Sequence, residues 1–77
     1  MNFKEIKEKI NRSKKSGDIA RAGRASNLTD STYHNAMKKD EWNELTVAQQ
    51  EYVEAMLKIL ENRAVKAGNV METAEAV

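Results

Sequence analysis

The sequence predicts an all-α domain of four helices, the last of them long. Three observations carry this. Pro is absent and Gly occurs three times, and two of the three Gly fall where a helix should stop or start. The composition is rich in Ala, Lys, Glu, Met and Leu, all good helix formers. No stretch of five or more residues alternates apolar and polar in the manner of a strand.

The first helix is predicted from Phe3 to Lys15. Asn2 can cap it, and Glu5 three places on makes an approximate capping box. Phe3, Ile6 and Ile10 form a narrow apolar stripe, and Glu5–Lys9 and Glu8–Arg12 are i,i+4 pairs in the favourable order. Ser16-Gly17-Asp18 ends this helix and offers Asp18 as the next cap. The second helix is short, from Ile19 to about Ser26, with a break at Asn27-Leu28. The third starts with Thr29 as cap and reaches Lys38 or Lys39. Asp40 to Leu45 is a linker that holds the single Trp. Thr46 begins the longest helix, with Gln49 completing a second capping box. That helix is expected to reach Ala67 and to stop at Gly68-Asn69.

The 77 residues make one small domain, expected over residues 1–68 with an acidic, fraying tail at 69–77. The absence of Cys excludes disulfides and thiolate metal sites, and one His excludes a His-rich site. Stability must then come from tight helix packing or oligomerisation. No apolar run approaches the roughly 18 residues of a membrane span, and MNFKEIKEKI lacks a signal-peptide core. A cytoplasmic protein without cofactor or metal is expected.

Charge is segregated along the chain. Residues 1–39 hold ten Lys/Arg against four acids, a net of +6. Residues 40–77 hold three bases against eight acids, a net of −5. The whole-chain value of +1 hides this split. A basic half can draw in phosphates by counterion release while an acidic half stays clear of them.

The basic half also contains DIARAGRASNLTDSTYHNAMKK, residues 18–39. Gly23 stands where two crossing helices need a tiny residue. Four places later Asn27 can adopt positive φ, for which Asn is the best substitute for Gly. Leu28 can plug the space between the helices and Thr29 can cap the second one. Tyr33, Ala36 and Met37 recur on the side of the third helix that faces the second. If Gly23 were itself the turn residue, Arg24 would be the plug, so the Asn27 register is preferred. This segment resembles the helix-turn-helix of DNA-binding proteins, in particular small repressor-like regulators of phages and bacteria. The departures are Asn for Gly at the turn, Gly for the usual Ala before it, polar Ser26 and bulky Tyr33.

The resemblance implies that the third helix lies in the major groove with its N-terminal end near base edges. Thr29, Ser31, Thr32, His34, Asn35 and Lys38 would then face DNA. Asn35 would pair with an adenine edge, and Ser31, Thr32 and His34 with bases or phosphates. Asp30 would accept from a cytosine amino group or simply favour the helix N-terminus. Arg21, Arg24, Lys38 and Lys39 would contact phosphate, with Lys14 and Lys15 adding contacts from the end of the first helix. A solvated helix end is an equal reading of Lys14-Lys15. Tyr33 reads as core, and Trp42 as a packing anchor over the linker before a binding hot spot. Ser31, Thr32, His34 and Asp30 share one short helix and cannot form a triad, and no Gly-rich phosphate loop or paired-carboxylate cleft is present. No enzyme is expected.

On the long helix, Gln49, Val53, Met56, Leu57, Leu60 and Ala64 form one stripe that can pack on the other helices, and Ala48, Tyr52, Ala55 and Ile59 a second that is left for a partner or for the C-terminal tail. Together they span an arc of about 200°, wider than one core requires, interrupted only by Arg63. A symmetric homodimer is the expected solution, with Tyr52, Ala55, Met56, Ile59 and Arg63 at its interface. The combined expectation is a homodimeric binder of double-stranded DNA that represses transcription. The rivals are a phage or mobile-element interaction module that inhibits a host protein, and an architectural DNA-packaging subunit.

Overall fold

The long helix is the axis on which everything else is hung. The structure, a computed structural model, describes the backbone of residues 2–76 and the side chains of residues 2–66. Among the described residues the order is α1 (Phe3–Ser13), α2 (Asp18–Ser26), α3 (Asp30–Met37), a single 3-10 turn (Trp42–Glu44) and α4 (Val47–Ala76), with no strand. The protein is all-α, and α1, α2 and α3 each pack against α4.

Local chemistry explains the helix starts. Asn2 Oδ1 accepts from the Glu5 amide at 2.9 Å, one half of the expected box. The second box is complete. The Thr46 amide donates to Gln49 Oε1 at 2.9 Å, and the Gln49 amide to Thr46 Oγ1 at 3.2 Å. Thr29 occupies the N-cap position of α3, but its hydroxyl pairs with Ser31 Oγ at 2.9 Å and does not cap an amide.

The helix ends depart further from expectation. α1 stops at Ser13, not Lys15. The reason is Asp18, whose Oδ2 takes the Lys15 amide at 2.7 Å and pulls the chain into a turn. Gly17 makes that turn at φ 90 and is itself the N-cap of α2. Asp18 is therefore the first residue of α2, not its cap. At the other end, α4 passes through Gly68 and Asn69, where a stop was expected. One Gly costs a helix about 1 kcal/mol, which flanking helix formers can carry when no Pro follows. The backbone of residues 69–76, expected as a fraying tail, instead continues α4 to Ala76.

The core comprises Phe3 and Ile10 of α1, Ala22 of α2, Tyr33 and Ala36 of α3, Leu45, and Tyr52, Val53, Met56 and Leu60 of α4. The four α4 residues fall within an arc of about 100°, the width that one core needs. Tyr52 was expected in a stripe left over for a partner. It is instead 0% exposed within the single chain, as is Met56. Both lie within the single arc that faces α1–α3, with Tyr52 at its α2 edge beside Gly23. Ala64, expected in the buried stripe, is exposed.

Arg63, the polar interruption of that arc, has a buried partner. Its guanidinium donates to Asp18 Oδ1 and, at 3.3 Å, to the Ser13 carbonyl. Asp18 is 0% exposed. Tyr52 reaches the same region, its hydroxyl donating to the Ile19 carbonyl at 2.5 Å. Hence Tyr52, Met56 and Arg63 of the expected dimer interface serve the fold of one chain. Ala55 and Ile59 are half-buried against the core.

Candidate nucleic-acid interface

The link between α2 and α3 is a tight left-handed cap. Asn27 sits at φ 58, ψ 42 and is the one non-Gly residue with positive φ among those described. The Leu28 amide bonds to the Gly23 carbonyl at 2.9 Å and the Asn27 amide to the Arg24 carbonyl at 3.4 Å. That pair of bonds is a Schellman closure, with apolar Leu28 just beyond the left-handed residue. Ser26 fits the same turn because its hydroxyl donates back to the Ala22 carbonyl at 2.7 Å.

Gly23 is required, but not by α3 as expected. A Cβ there would meet Tyr52 Oη of α4 at 2.8 Å and the Leu28 carbonyl at 2.9 Å. The tiny residue makes room for the α4 tyrosine and for the backbone of the turn.

α3 presents one polar face. Tyr33 and Ala36 are buried, Thr32 and Met37 half-buried, and Asp30, Ser31, His34, Asn35 and Lys38 exposed. At 100° per residue the exposed set covers an arc of about 140°. Thr29 is exposed just before it. A groove on the α2 side is lined by Arg24, Thr29, Asp30 and His34 over Tyr52. A second, on the α1 side, is lined by Lys4, Lys7, Lys14, Tyr33 and His34, with Glu8 its one acid among the described residues. His34 stands on the crest between the two.

Most of the residues expected at DNA therefore gather around α3, and some do not. Thr32 turns partly inward. Lys39 is half-buried, and its carbonyl accepts from Lys7 Nζ at 2.7 Å. Arg21 leans toward Asp18, 3.8 Å away. Lys15 lies in the α1–α2 turn, and neither it nor Arg21 lines a groove beside α3. Lys14 does, with its ammonium 5.9 Å from the Tyr33 ring centre. Lys4 and Lys7 were missed. Their signal was the three- and four-residue spacing Lys4, Lys7, Asn11, Lys14, which sets one polar face along α1.

The buried tyrosines are held in their neutral form. Burial pushes both the Tyr33 and Tyr52 hydroxyls above their ordinary value. Tyr33 Oη has no hydrogen-bond partner among the described residues. Neighbouring Tyr52 raises Tyr33 further, and Asp30 does the same to Tyr52. Among the described residues no group of His, Asp and Glu could hold a metal ion, and no helix is long and apolar enough to cross a membrane.

Comparison of the chain with protein-family models, with curated proteins and with solved structures returned no match.

Proposed function

We propose that this chain binds double-stranded DNA in a sequence-dependent way, with α3 in the major groove, and represses transcription by occupying its site. One observation carries the proposal. A left-handed closure at Asn27 aims α3 outward, and the helix keeps its polar arc free beside a groove holding three lysines against one acid. Phosphate attraction from Lys4, Lys7, Lys14, Arg24 and Lys38 supplies affinity, and Asn35 with Ser31 and His34 supplies base contacts. The acidic residues after Lys39 keep the remainder of the molecule away from phosphate.

The proposal includes a homodimer, with its contact on the half-buried Ala55 and Ile59 edge of α4. Tyr52, Met56 and Arg63 are engaged inside one chain and leave that edge for a mate. Two copies of α3 set about 34 Å apart would read a palindrome.

The test is selection of bound sequences from random duplex DNA, followed by titration across a salt series. Enrichment of a palindromic consensus with a steep salt slope supports the proposal. Failure to retain any duplex at low salt sinks it and favours a module whose basic face docks an acidic host protein.

A further inference from the structure

On the side of α1 away from the lysine groove lies a second feature of opposite character. A groove of about 590 Å³ runs between α1, the 3-10 turn and α4. Its apolar lining is Phe3, Ile6, Trp42 and Leu57, and its polar lining Asn2, Asn43, Glu41 and Glu54. Among the described residues no Lys or Arg lines it. Phe3 is buried, while Ile6, Trp42 and Leu57 are left half-buried.

The apolar lining is held in place. The Phe3 and Trp42 rings meet edge to face with centroids 5.8 Å apart. The Trp42 carbonyl accepts from the Leu45 amide at 3.1 Å and from Gln50 Nε2 at 3.5 Å. A preformed aromatic pocket binds with a smaller ordering cost. The rim is acidic and unneutralised. Glu41 and Glu54 are exposed, and neither is in an ion pair among the described residues. Exposed Asp40 and Glu44 flank the same turn.

We propose that this groove docks a basic segment of another protein, which inserts one bulky apolar side chain over Trp42 and sets Lys or Arg against Glu41 and Glu54. Charge complementarity chooses the occupant. The acids repel nucleic acid and anionic lipid, and an aromatic pocket inside a charged rim is the pattern of an interface anchor. Among the described residues the groove shares no lining residue with either groove beside α3. Duplex DNA and the partner can therefore be held together, and the docking stands whether or not α3 binds DNA.

The test is a selection of displayed random peptides on the immobilised full chain, run beside a chain carrying Glu41→Lys and Glu54→Lys. Peptides with a bulky apolar residue flanked by Lys or Arg should be enriched on the first and not the second. A synthetic copy of the leading peptide should shift the emission of Trp42, the single Trp, in a saturable titration. Each single charge reversal should weaken binding about tenfold or more. Both acids are exposed, so helical circular dichroism should match the parent. The proposal is overturned by any of four results: no enrichment, enrichment of acidic or neutral peptides, equal binding by the charge-reversed chain, or a Trp42 shift produced by raising the protein concentration alone. The last would make a second copy of the chain the occupant.

Discussion

The Arg63 guanidinium of α4 closes on the fully buried Asp18 carboxylate at the start of α2. Asp18 also holds the Lys15 amide, and Arg63 the Ser13 carbonyl. One ion pair thus ties the end of α1, the start of α2 and the middle of α4. Removing one partner strands the other charge in the interior, which is costlier than removing both. Arg63→Met should destabilise the protein by about 2–4 kcal/mol, and Asp18→Asn by somewhat less. The double variant should recover part of the loss. Urea unfolding of the three variants checks this, and additive losses would contradict it.

The same pair predicts an acid response. Arg63 holds the Asp18 carboxyl below its ordinary value of 3.8, against the opposing effect of burial. A group with a depressed folded pKa contributes stability above its unfolded value and loses it as pH falls through the folded value. Stability should therefore drop from about pH 4 downward, and the Asp18→Asn variant should show a shallower drop. Urea midpoints taken between about pH 6 and about pH 2 measure it. Parallel curves for the two proteins would count against the ion pair.

At the turn, Asn27→Gly should be neutral or slightly stabilising, because Gly adopts positive φ freely. Asn27→Ile should cost on the order of 1 kcal/mol or more. Gly23→Ala should cost about 1–3 kcal/mol, since its methyl would meet the Leu28 carbonyl as well as the Tyr52 hydroxyl. Thermal unfolding ranks the three, and a Gly23→Ala protein as stable as the parent would refute the close approach.

On DNA, Asn35→Ala should cost about 1–3 kcal/mol at the selected site and little elsewhere. Lys38→Ala, Arg24→Ala, Lys4→Ala and Lys7→Ala should weaken binding on all duplexes. Each should lower the salt slope by about 1 if its side chain neutralises one phosphate. Arg21→Ala and Lys15→Ala should do less. Fluorescence anisotropy at several salt concentrations separates the groups, and equal effects across all seven would leave α3 without a reading role.

Ile59→Glu should split a dimer while leaving helical content intact, because Ile59 is half-buried at the edge of α4. Tyr52→Glu should unfold the chain, because Tyr52 is 0% exposed. Sedimentation at tens of micromolar and circular dichroism distinguish them. A parent that sediments as a monomer would remove the paired-site mechanism.

The turn between α2 and α3 was legible because its demands are local. Positive φ at Asn27, an apolar Leu28 and the small Gly23 are properties of single positions, and a tight turn leaves few alternatives. The capping box at Thr46 and Gln49 was legible for the same reason. The partners of Gly23 were not, since Tyr52 lies 29 residues away and its approach depends on how α4 crosses α2. Lys4 and Lys7 were passed over because helical spacing shows which residues share a face, not which helix that face meets.

The sequence by itself determined the all-α class, the charge division, most helix starts and the bend at Asn27, all set by residues within about one turn of each other. Periodicity already placed Val53, Met56 and Leu60 on the inward stripe of α4, and only the tertiary structure decided that Tyr52 joins them inside. Periodicity marks an arc, but how far α1–α3 wrap round that arc depends on three crossing geometries at once. Hence Tyr52 became core, and Arg63 became the partner of Asp18, across 45 residues of chain.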